Sequence, residues 1–353
     1  MRRLIFITQQ VDPRHPALAA TIPKIRALAE RVDEVVVLAD RVLPGTLPAN
    51  CRSLSFASGS KAGRGLRFEA ALTKELSRGP RPVAVVAHMC PIYAVLAAPL
   101  ARPLGVPLLL WFTHWKRTRT LEAAEKAATA IVSVDTRSFP IQSRKIVAIG
   151  HGIDVAEFPC RPEGQRASDF RIAALGRYSR AKGLDTVIRA VGLAASRGLE
   201  VRLEIHGPAL SAAEREHRGE LWGLVGGLDL AMRVRLDAAV LRSEVPEILQ
   251  RADCLVNNME AGAPDKIVYE AGASCLPVIA SNPVFDELLD GLAVPLQFAR
   301  DDPAELAQRI ERLVAMPPEQ RAATGRVLRK RVAENHSVEH WAERILEVAR
   351  PAK

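Results

Sequence analysis

Two cationic side chains flank the junction between a buried strand and a helix in the middle of the chain. The stretch 175–185 reads LGRYSRAKGLD, with Arg177, Lys182 and then Gly183. In an open parallel sheet, ligands bind beyond the carboxyl ends of the strands, where helix N-termini favour an anion. Arginine can contact two phosphate oxygens while lysine supplies a mobile charge. The pair favours a diphosphate, and two solvated side chains on an ordinary turn are the alternative.

A second polar segment, NNMEAGAPDKIVYEAGASCLPVIAS at 257–281, follows another buried strand. We expect a helix to start near Pro264, with Asp265 and Lys266 in its first turn and Glu270 about one turn later. The Glu270 carboxylate could accept hydrogen bonds from two adjacent hydroxyls, as a ribose presents, or could merely compensate the helix dipole. This segment is suited to a nucleotide beside the cationic pair.

The elements that must position these residues alternate along the whole chain between short apolar runs and amphipathic stretches. This alternation predicts parallel βαβ units and an α/β fold with doubly wound sheets. Strands are expected at 4–8, 34–38, 83–88, 107–113, 130–134, 145–149, 170–175, 201–205, 234–236, 254–256, 277–280 and 294–298. Helices are expected at 22–32, at 121–128 and over most of the chain after residue 304, with Ser337 capping the last one.

A polar stretch, DVAEFPCRPEGQRASD at 154–169, separates two similar halves and has no sustained periodicity. It is typical of a linker, and the length of 353 residues favours two domains. We predict one Rossmann-like domain over 1–155, a linker over 156–169 and a second domain over 170–334. A cleft between two such domains is the default ligand site.

The positive charge is concentrated in the first half of the chain. Residues 1–155 contain 22 Lys and Arg against 11 Asp and Glu, whereas the remainder contains 27 against 29. The basic stretches SKAGRGLRF (60–68) and KRTR (116–119) lie near Trp111 and Trp115, which suggests peripheral contact with an anionic membrane. A soluble enzyme with a basic surface is the alternative. We expect no nucleic-acid partner, because no helix-turn-helix, RNA-binding sheet motif or zinc module is evident.

Cysteine spacing and hydropathy limit the cellular setting. Five cysteines occur without a CxxC pair, so we expect neither a zinc site nor a disulfide framework. The apolar run at 4–8 is too short for a signal peptide, and no span of about 20 apolar residues follows. A reducing, cytoplasmic location is the simplest interpretation, with the basic half allowing peripheral contact with the inner membrane face.

Three blocks together resemble a known family: GRYSRAKGLDTVIRAV, RADCLVNNMEAGAPDKIVYEAGASCLPVIAS and IGHGIDVAEF. Their order and spacing are similar to those of the retaining glycosyltransferases of family 4 (glycosyl transferases group 1), which have the GT-B architecture. The resemblance covers the second half almost completely and the first half more loosely. It implies an acceptor-side first domain, a second domain that binds a nucleotide-sugar donor, and a terminal helix (335–353) that packs back on the first domain.

The resemblance also implies roles for individual residues. Arg177 and Lys182 match the pair that holds the donor diphosphate and neutralises the leaving group, and Glu270 matches the glutamate that binds the ribose. His114 matches a first-domain histidine beside the donor sugar, so Arg177, Lys182 and His114 form the expected catalytic set. The remaining expected donor-binding residues are Gly176, Glu260, Gly262, Ala263, Pro264, Asp265 and Lys266.

The sequence departs from the family pattern at two places. The E-x7-E element lacks its first glutamate, since Gly262 stands eight residues before Glu270. Glu260 could reach in from a rearranged loop, or Asp265 or Lys266 could define a different sugar contact. The glycine pair common near the start of such enzymes is replaced by QQVDPRHPALAA, where Asp12, Arg14 and His15 are candidates for the acceptor side.

The expected activity is hexosyl transfer from a UDP- or GDP-linked sugar to an unknown acceptor, such as a membrane lipid or a glycan precursor. No D-x-D occurs in the chain, so we expect no metal and no cofactor. The resemblance implies retention of configuration, with the leaving phosphate taking the acceptor's proton and domain closure bringing His114 towards Arg177 and Lys182. A GT-B sugar-nucleotide epimerase and a non-catalytic nucleotide-sugar-binding protein are the alternatives. A dehydrogenase is disfavoured, because no G-x-G-x-x-G follows the first strand.

Overall fold

The computed structural model describes residues 1–15, 18–162 and 169–350. The chain divides into two compact units. The first unit comprises Met1–Ile153 and the chain from Asn335 onward, and the second comprises Asp154–Glu334.

The described residues form strands and helices that alternate in both units. The strands are β1 (Arg3–Val11), β2 (Glu34–Val42), β3 (Cys51–Ser55), β4 (Ala84–His88), β5 (Leu108–Trp111), β6 (Ala130–Ser133), β7 (Ile146–Ala148), β8 (Phe170–Leu175), β9 (Val201–His206), β10 (Val234–Asp237), β11 (Cys254–Asn257) and β12 (Val278–Ala280). The helices are α1 (Thr21–Ala29), α2 (Lys61–Leu76), α3 (Pro91–Ala101), α4 (Arg119–Ala127), α5 (Leu184–Ser196), α6 (Ala212–Gly227), α7 (Val245–Arg251), α8 (Lys266–Ala273), α9 (Asp286–Leu289), α10 (Pro303–Ala315), α11 (Pro318–Asn335) and α12 (Val338–Val348).

Each unit is built on one parallel sheet within the described residues. The first sheet has the order β3-β2-β1-β4-β5-β6-β7, and the second has the order β10-β9-β8-β11-β12. The paired strands run parallel throughout both sheets. The strands β4 and β11 are buried along their length, and β1 is buried over its first six residues, because parallel crossovers cover the sheet faces with helices. The prediction of an α/β protein with two doubly wound parallel-sheet domains is confirmed.

The last helix of the chain, α12, packs in the first unit. Ser337 caps it as the sequence predicts, because its hydroxyl accepts a hydrogen bond from the His340 backbone N–H at 3.2 Å. The Trp341 side chain is fully buried and meets the Trp111 ring at the end of β5 edge to face, with centroids 5.6 Å apart. Aromatic packing therefore fixes the terminal helix against the first sheet.

Two strand assignments from the sequence differ from the structure. The strand expected at 294–298 is wrong, because that segment contributes an isolated bridge between Gln297 and Ala280. Pro295 has no backbone N–H to donate to a ladder, which explains why pairing stops there. Conversely, β3 was not expected, since its residues are partly or fully exposed and show no apolar run.

The expectation that the cysteines form no disulfide is also wrong. Cys160 and Cys275 are bonded to each other across a sequence separation of 115 residues. Such a long separation leaves no local spacing motif, so the pairing was not visible in the sequence. The bond joins the segment that precedes β8 to the turn that follows α8. No helix among the described residues is long and apolar enough to cross a membrane.

Candidate active site

Lys182 lies at the carboxyl edge of the second sheet because a glycine-flanked turn follows β8. Gly176 (φ 141°) leaves the strand, and Gly183 (φ 51°) adopts the left-handed conformation just before α5 begins. A Cβ at Gly176 would lie 2.4 Å from the Lys182 Cε and Nζ atoms. The Lys182 side chain therefore rests directly on the backbone of Gly176, in space that any other residue would fill.

The start of α8 meets Lys182 at this edge. The Asp265 carboxylate contacts the Lys182 ammonium, which also donates to the Leu175 carbonyl at 3.3 Å. Asn257, the last residue of β11, donates from Nδ2 to Asp265 Oδ2 at 2.7 Å. The helix begins at Lys266, with Asp265 as its N-cap residue, close to the start expected from Pro264. The structure thus brings together Lys182 and Asp265 from the two motifs that the sequence singled out.

Arg177 is more exposed than Lys182 and more loosely held. Its side chain is 59% exposed, with Nη1 3.5 Å from Oε1 of Glu214. The other Glu214 oxygen accepts hydrogen bonds from the backbone N–H groups of Leu210 (2.7 Å) and Ser211 (3.2 Å), in a capping box that starts α6. The neighbouring Tyr178 is fully buried and donates its hydroxyl to the Asp237 carbonyl at 2.7 Å. The backbone at Arg177 is therefore anchored while its guanidinium remains open to solvent.

Glu270 is buried on α8 between two cations. Its Oε1 atom lies 2.8 Å from Lys266 Nζ and 2.6 Å from Arg242 Nη1, and Arg242 also pairs with Glu157 at 2.8 Å. Burial acts to raise the pKa of the Glu270 carboxyl, but Lys266 and Arg242 outweigh it and hold the pKa below its ordinary value. Glu270 is thus ionised at neutral pH and can act only as a hydrogen-bond acceptor.

The loop between β11 and α8 is fixed through its backbone. The Glu260 N–H donates to the Ala181 carbonyl at 3.1 Å, and Asn282 Nδ2 donates to the carbonyls of Glu260 and Ala263 at 2.9 Å each. Gly262 has φ 79°, a conformation that glycine adopts without strain. A glutamate at position 262 would be strained in this loop conformation, so the departure from E-x7-E agrees with the local backbone. The substitution of Glu260 for the missing glutamate stays a prediction.

The candidate residues of the first unit lie at the ends of β1 and β5. His114 Nδ1 accepts a hydrogen bond from the Lys116 backbone N–H at 2.9 Å, and its ring stacks on Trp115 with centroids 5.4 Å apart. Asp12 accepts from the Arg14 backbone N–H at 2.9 Å, a bond that lowers the pKa of the Asp12 carboxyl, and the His15 N–H donates to the Asp12 carbonyl. The catalytic role of His114 and the acceptor-side roles of Asp12, Arg14 and His15 stay predictions.

Sequence reasoning missed several residues that contact the predicted site residues, among them Glu214, Asn257, Arg242 and Asn282. Glu214 was detectable, because SAAE at 211–214 has the S-x-x-E spacing of a capping box. Asn257 directly follows the strand predicted at 254–256, but nothing in the sequence pattern indicates that it contacts Asp265. Arg242 comes from the loop after β10, and no sequence signal connects it with Glu270.

The charges of the site are nearly balanced. Within the described residues, the cations Arg177, Lys182, Arg242 and Lys266 face the carboxylates of Glu157, Glu214, Asp265 and Glu270. Arg177 and Lys182 lie between the end of β8 and the start of α5, where a helix N-terminus favours an anionic ligand. No cluster of three or more His, Cys, Asp or Glu side chains in the described part of the chain could hold a metal ion. The expectation of a metal-independent site stays a prediction.

Comparison with known proteins defines the class of the second unit and the fold of the whole chain. Residues 169–316 match the family model described as Glycosyl transferases group 1. This segment spans β8 to α10 and contains every donor-side residue described above. The chain therefore carries a glycosyl transferases group 1 domain, and the class of protein is a glycosyltransferase. No curated protein matches the chain.

Solved structures share the architecture at low sequence identity. Sucrose-phosphate synthase (tll1590) from Thermosynechococcus elongatus is similar, with a TM-score of 0.76, 16% identity and coverage of 99% of this chain and 98% of that chain. HepE (Alr3699) from Anabaena in complex with UDP has a TM-score of 0.78 and 17% identity, covering 98% of this chain and 99% of that chain. OtsA, as an apo structure, has a TM-score of 0.72 and 12% identity, with 100% coverage of both chains. The fold is GT-B.

Proposed function

We propose that the protein is a retaining hexosyltransferase of family 4 that uses a nucleotide-diphosphate sugar, UDP- or GDP-linked, as its donor. The observation that carries this proposal is the meeting of Lys182 with the first residues of α8 at the carboxyl edge of the second sheet. Phosphate oxygens bind at such an edge because helix N-termini and lysine both favour anions. The Anabaena structures contain UDP, glucose and UDP-glucose, and they support a UDP-linked rather than a GDP-linked sugar as the donor.

In this proposal Arg177 and Lys182 stabilise the departing diphosphate. Preorganised positive charge at the point where negative charge develops lowers the barrier, because the site needs no reorganisation during the reaction. The ionised Glu270 accepts hydrogen bonds from the ribose hydroxyls, and Lys266 and Arg242 hold it in place. The leaving phosphate takes the proton of the acceptor. Two cations and the absence of a D-x-D in the chain support a mechanism without a metal or cofactor.

We propose a membrane lipid or a glycan precursor as the acceptor, with peripheral contact between the basic first unit and an anionic membrane. Leu66 on α2 is 69% exposed and is followed in the chain by Arg67, and Trp115 is 45% exposed and is followed by Lys116. Exposed apolar side chains among cations are typical of membrane-surface proteins. Co-sedimentation with anionic but not with neutral phospholipid vesicles would support this contact. Equal recovery in both supernatants would contradict it.

Two alternatives remain for the same fold. A GT-B sugar-nucleotide epimerase would consume the donor without an acceptor, and a non-catalytic protein would bind the nucleotide sugar without turnover. The glycosyl transferases group 1 match over 169–316 favours transfer over epimerisation. Lys182 pairs with Asp265, and Glu270 pairs with Lys266. These ordered charged pairs disfavour a protein that has lost its catalytic site.

The test is a thermal-shift panel of UDP, GDP, ADP and their common sugar conjugates with the wild type and Lys182→Ala. A ligand that binds the native state raises the unfolding midpoint by mass action. We expect one nucleoside diphosphate to raise the midpoint of the wild type and to lose most of that effect in Lys182→Ala. Lys330→Ala is the matched control, since this lysine is exposed on α11 and pairs with Glu334. The absence of a shift with every nucleotide would contradict the proposed donor.

A further inference from the structure

Asp265 stands where a helix cap is expected, but it does not cap its helix. It is the N-cap residue of α8, with extended backbone angles (φ −64°, ψ 118°), yet its side chain makes no hydrogen bond to the first-turn N–H groups. Aspartate is one of the preferred residues at this position because its carboxylate normally accepts such a bond. The carboxylate of Asp265 instead contacts Lys182 and accepts a hydrogen bond from Asn257. The helix terminus is thus left without its side-chain cap in favour of an ion pair.

The partner of this ion pair has a built-in resting position. The Lys182 side chain is 12% exposed, and its end lies against Gly176, where a Cβ would come within 2.4 Å of it. The Leu175 carbonyl accepts a second hydrogen bond from the ammonium at 3.3 Å. Lys182 is therefore held at this position by the backbone as well as by Asp265, and it would stay near the edge of the sheet if the carboxylate were removed.

The two cations of the site differ in how strongly carboxylates hold them. Arg177 lies 3.5 Å from Glu214, which already accepts two backbone hydrogen bonds, and most of the guanidinium is in solvent. Lys182 and Asp265 are in direct contact and mostly screened from solvent. An anion can therefore reach Arg177 without displacing a strong partner. At Lys182 it has to compete with Asp265.

We propose that Asp265 competes with the donor's diphosphate for Lys182, and so limits the affinity of the site for nucleoside diphosphates. This inference rests on the proposed function, since it takes a diphosphate as the ligand of Lys182. A bound diphosphate carries more negative charge than one carboxylate, so it displaces Asp265 from the Lys182 ammonium. The Asp265 carboxylate then lies close to the negative charge of the diphosphate and is repelled by it. Both effects weaken binding, and they disappear when the residue at 265 is neutral.

The experiment measures the binding of UDP, GDP and inorganic pyrophosphate by calorimetry to the wild type and to two variants. Asp265→Asn removes the charge and keeps the shape, and Asp265→Ala removes the charge without offering a new cap. We expect both to bind the diphosphate about tenfold more tightly, because one repulsive neighbour and one competitor for Lys182 are lost. A merely structural role for Asp265 would give the opposite result, since damage to the site weakens binding. Unchanged or weaker binding in either variant overturns the proposal.

Asp253→Asn provides the matched control. Asp253 precedes β11, whereas Asp265 follows the other end of this strand. Asp253 also forms an ion pair, with Arg161 at 2.9 Å. Asp253→Asn changes the net charge by the same amount as Asp265→Asn, but at the opposite end of β11. We therefore expect the diphosphate affinity of this control to remain within about twofold of the wild type. A tenfold gain in this control as well would assign the effect to net charge and would overturn a specific competition at Lys182.

A second measurement separates this inference from the proposed function. Limited acetylation followed by mass spectrometry reports how accessible the Lys182 amine is, and it needs no nucleotide. We expect Asp265→Asn to increase the labelling of Lys182 several-fold and to leave Lys330 unchanged. Increased labelling of Lys182 in Asp265→Asn, together with no diphosphate binding by the wild type, would confirm the Lys182–Asp265 ion pair but refute the proposed donor. Unchanged labelling would refute the hold of Asp265 on Lys182.

Discussion

Two lysines, one in each unit, show how differently the protein accommodates a positive charge. In the second unit the Lys182 ammonium contacts the carboxylate of Asp265 at the edge of a sheet. In the first unit Lys24 on α1 is 4% exposed, with Nζ 4.6 Å from the ring centroid of Trp111 and 5.3 Å from that of Trp341. A charged ligand can replace a carboxylate, whereas the aromatic rings over Lys24 are part of the packed interior. The comparison separates a cation whose partner is a carboxylate from one that is enclosed by packed aromatic rings.

The surroundings of Lys24 support a structural role. Gly152 has φ 76°, and a Cβ there would lie 2.6 Å from Lys24 Cε and 3.1 Å from Trp341 Cγ. The contact therefore joins α1, the end of β5, the segment at Gly152 and the terminal helix. These four segments are far apart in sequence, and their packing around one side chain fixes α12 in the first unit.

The largest expected effect is a loss of stability when this packing is removed. Trp341→Ala should lower the free energy of unfolding by about 3–5 kcal/mol, because a fully buried indole leaves a cavity between α12 and the sheet. Trp222→Ala is the control, since Trp222 is 48% exposed on α6, and its cost should be below about 0.5 kcal/mol. Urea denaturation measures both. Equal costs for the two variants would show that the aromatic contact around Lys24 does not stabilise the first unit.

The disulfide gives the next largest effect, in the second unit. Replacing both Cys160 and Cys275 by serine should cost about 2–4 kcal/mol, because the bond closes a long loop and restricts the unfolded chain. The wild type should show the same loss of unfolding midpoint in dithiothreitol, and the double variant should be insensitive to it. Cys51→Ser is the control, since Cys51 is a free cysteine on β3. A wild type that is equally stable with and without reductant would contradict the bond.

Replacing each of the two lysines by methionine tests directly whether only Lys182 contributes to ligand binding. Lys182→Met should weaken nucleoside diphosphate binding by about 1.5–3 kcal/mol, the usual range for a hydrogen bond to a charged group. Lys24→Met keeps most of the volume and apolar contact of the side chain, so binding should be unchanged. Calorimetry with UDP and GDP measures both. Equal loss of binding in the two variants would show that Lys24 also acts on the ligand.

Most of the fold was predictable from the sequence for a simple physical reason. Parallel strands covered on both faces form short continuous apolar runs, so β1, β4, β5 and β11 stand out without knowledge of their neighbours. An edge strand such as β3 has no such run, and Pro295 prevents a ladder in a segment that is otherwise apolar enough. The disulfide depends on two positions 115 residues apart, which no local pattern reports.

The candidate site was predictable where one segment carries both the element and its chemistry. Lys182 and Asp265 each follow a strand end, and parallel sheets bring such ends to one edge. The residues that hold them were not predictable in the same way. Arg242 reaches Glu270 from a different loop, and the contact of Asn257 with Asp265 depends on side-chain rotamers. Lys24 was missed altogether, because its partners Trp111, Gly152 and Trp341 come from three segments that are distant in the sequence.

The smallest expected effect is the pH dependence of the free energy of unfolding, and it tests the packing around Trp111 and Lys24 through His88. His88, at the end of β4, is buried with its ring stacked 6.3 Å from that of Trp111. Burial, followed by the charge of Lys24, holds the pKa of His88 well below its ordinary value. Burial likewise lowers the pKa of His336, to about 4. Both histidines are neutral in the folded protein, whereas the unfolded chain takes up protons below about pH 6.5.

The stability from these two histidines is complete above the unfolded pKa of about 6.5 and is lost as the pH falls towards the lowered folded values. The expected loss is about 1 kcal/mol per pH unit for each histidine between pH 6 and 5, measured by urea denaturation. His88→Leu should remove its share of this slope at little cost at pH 7.5, because neither ring nitrogen has a hydrogen-bond partner among the described residues. Glu270 in the second unit, whose pKa is also lowered, loses its contribution only as the pH falls below about 4.5. As the pH falls, the first unit should therefore lose stability before the second unit. An unchanged slope of unfolding free energy against pH in His88→Leu would contradict that order.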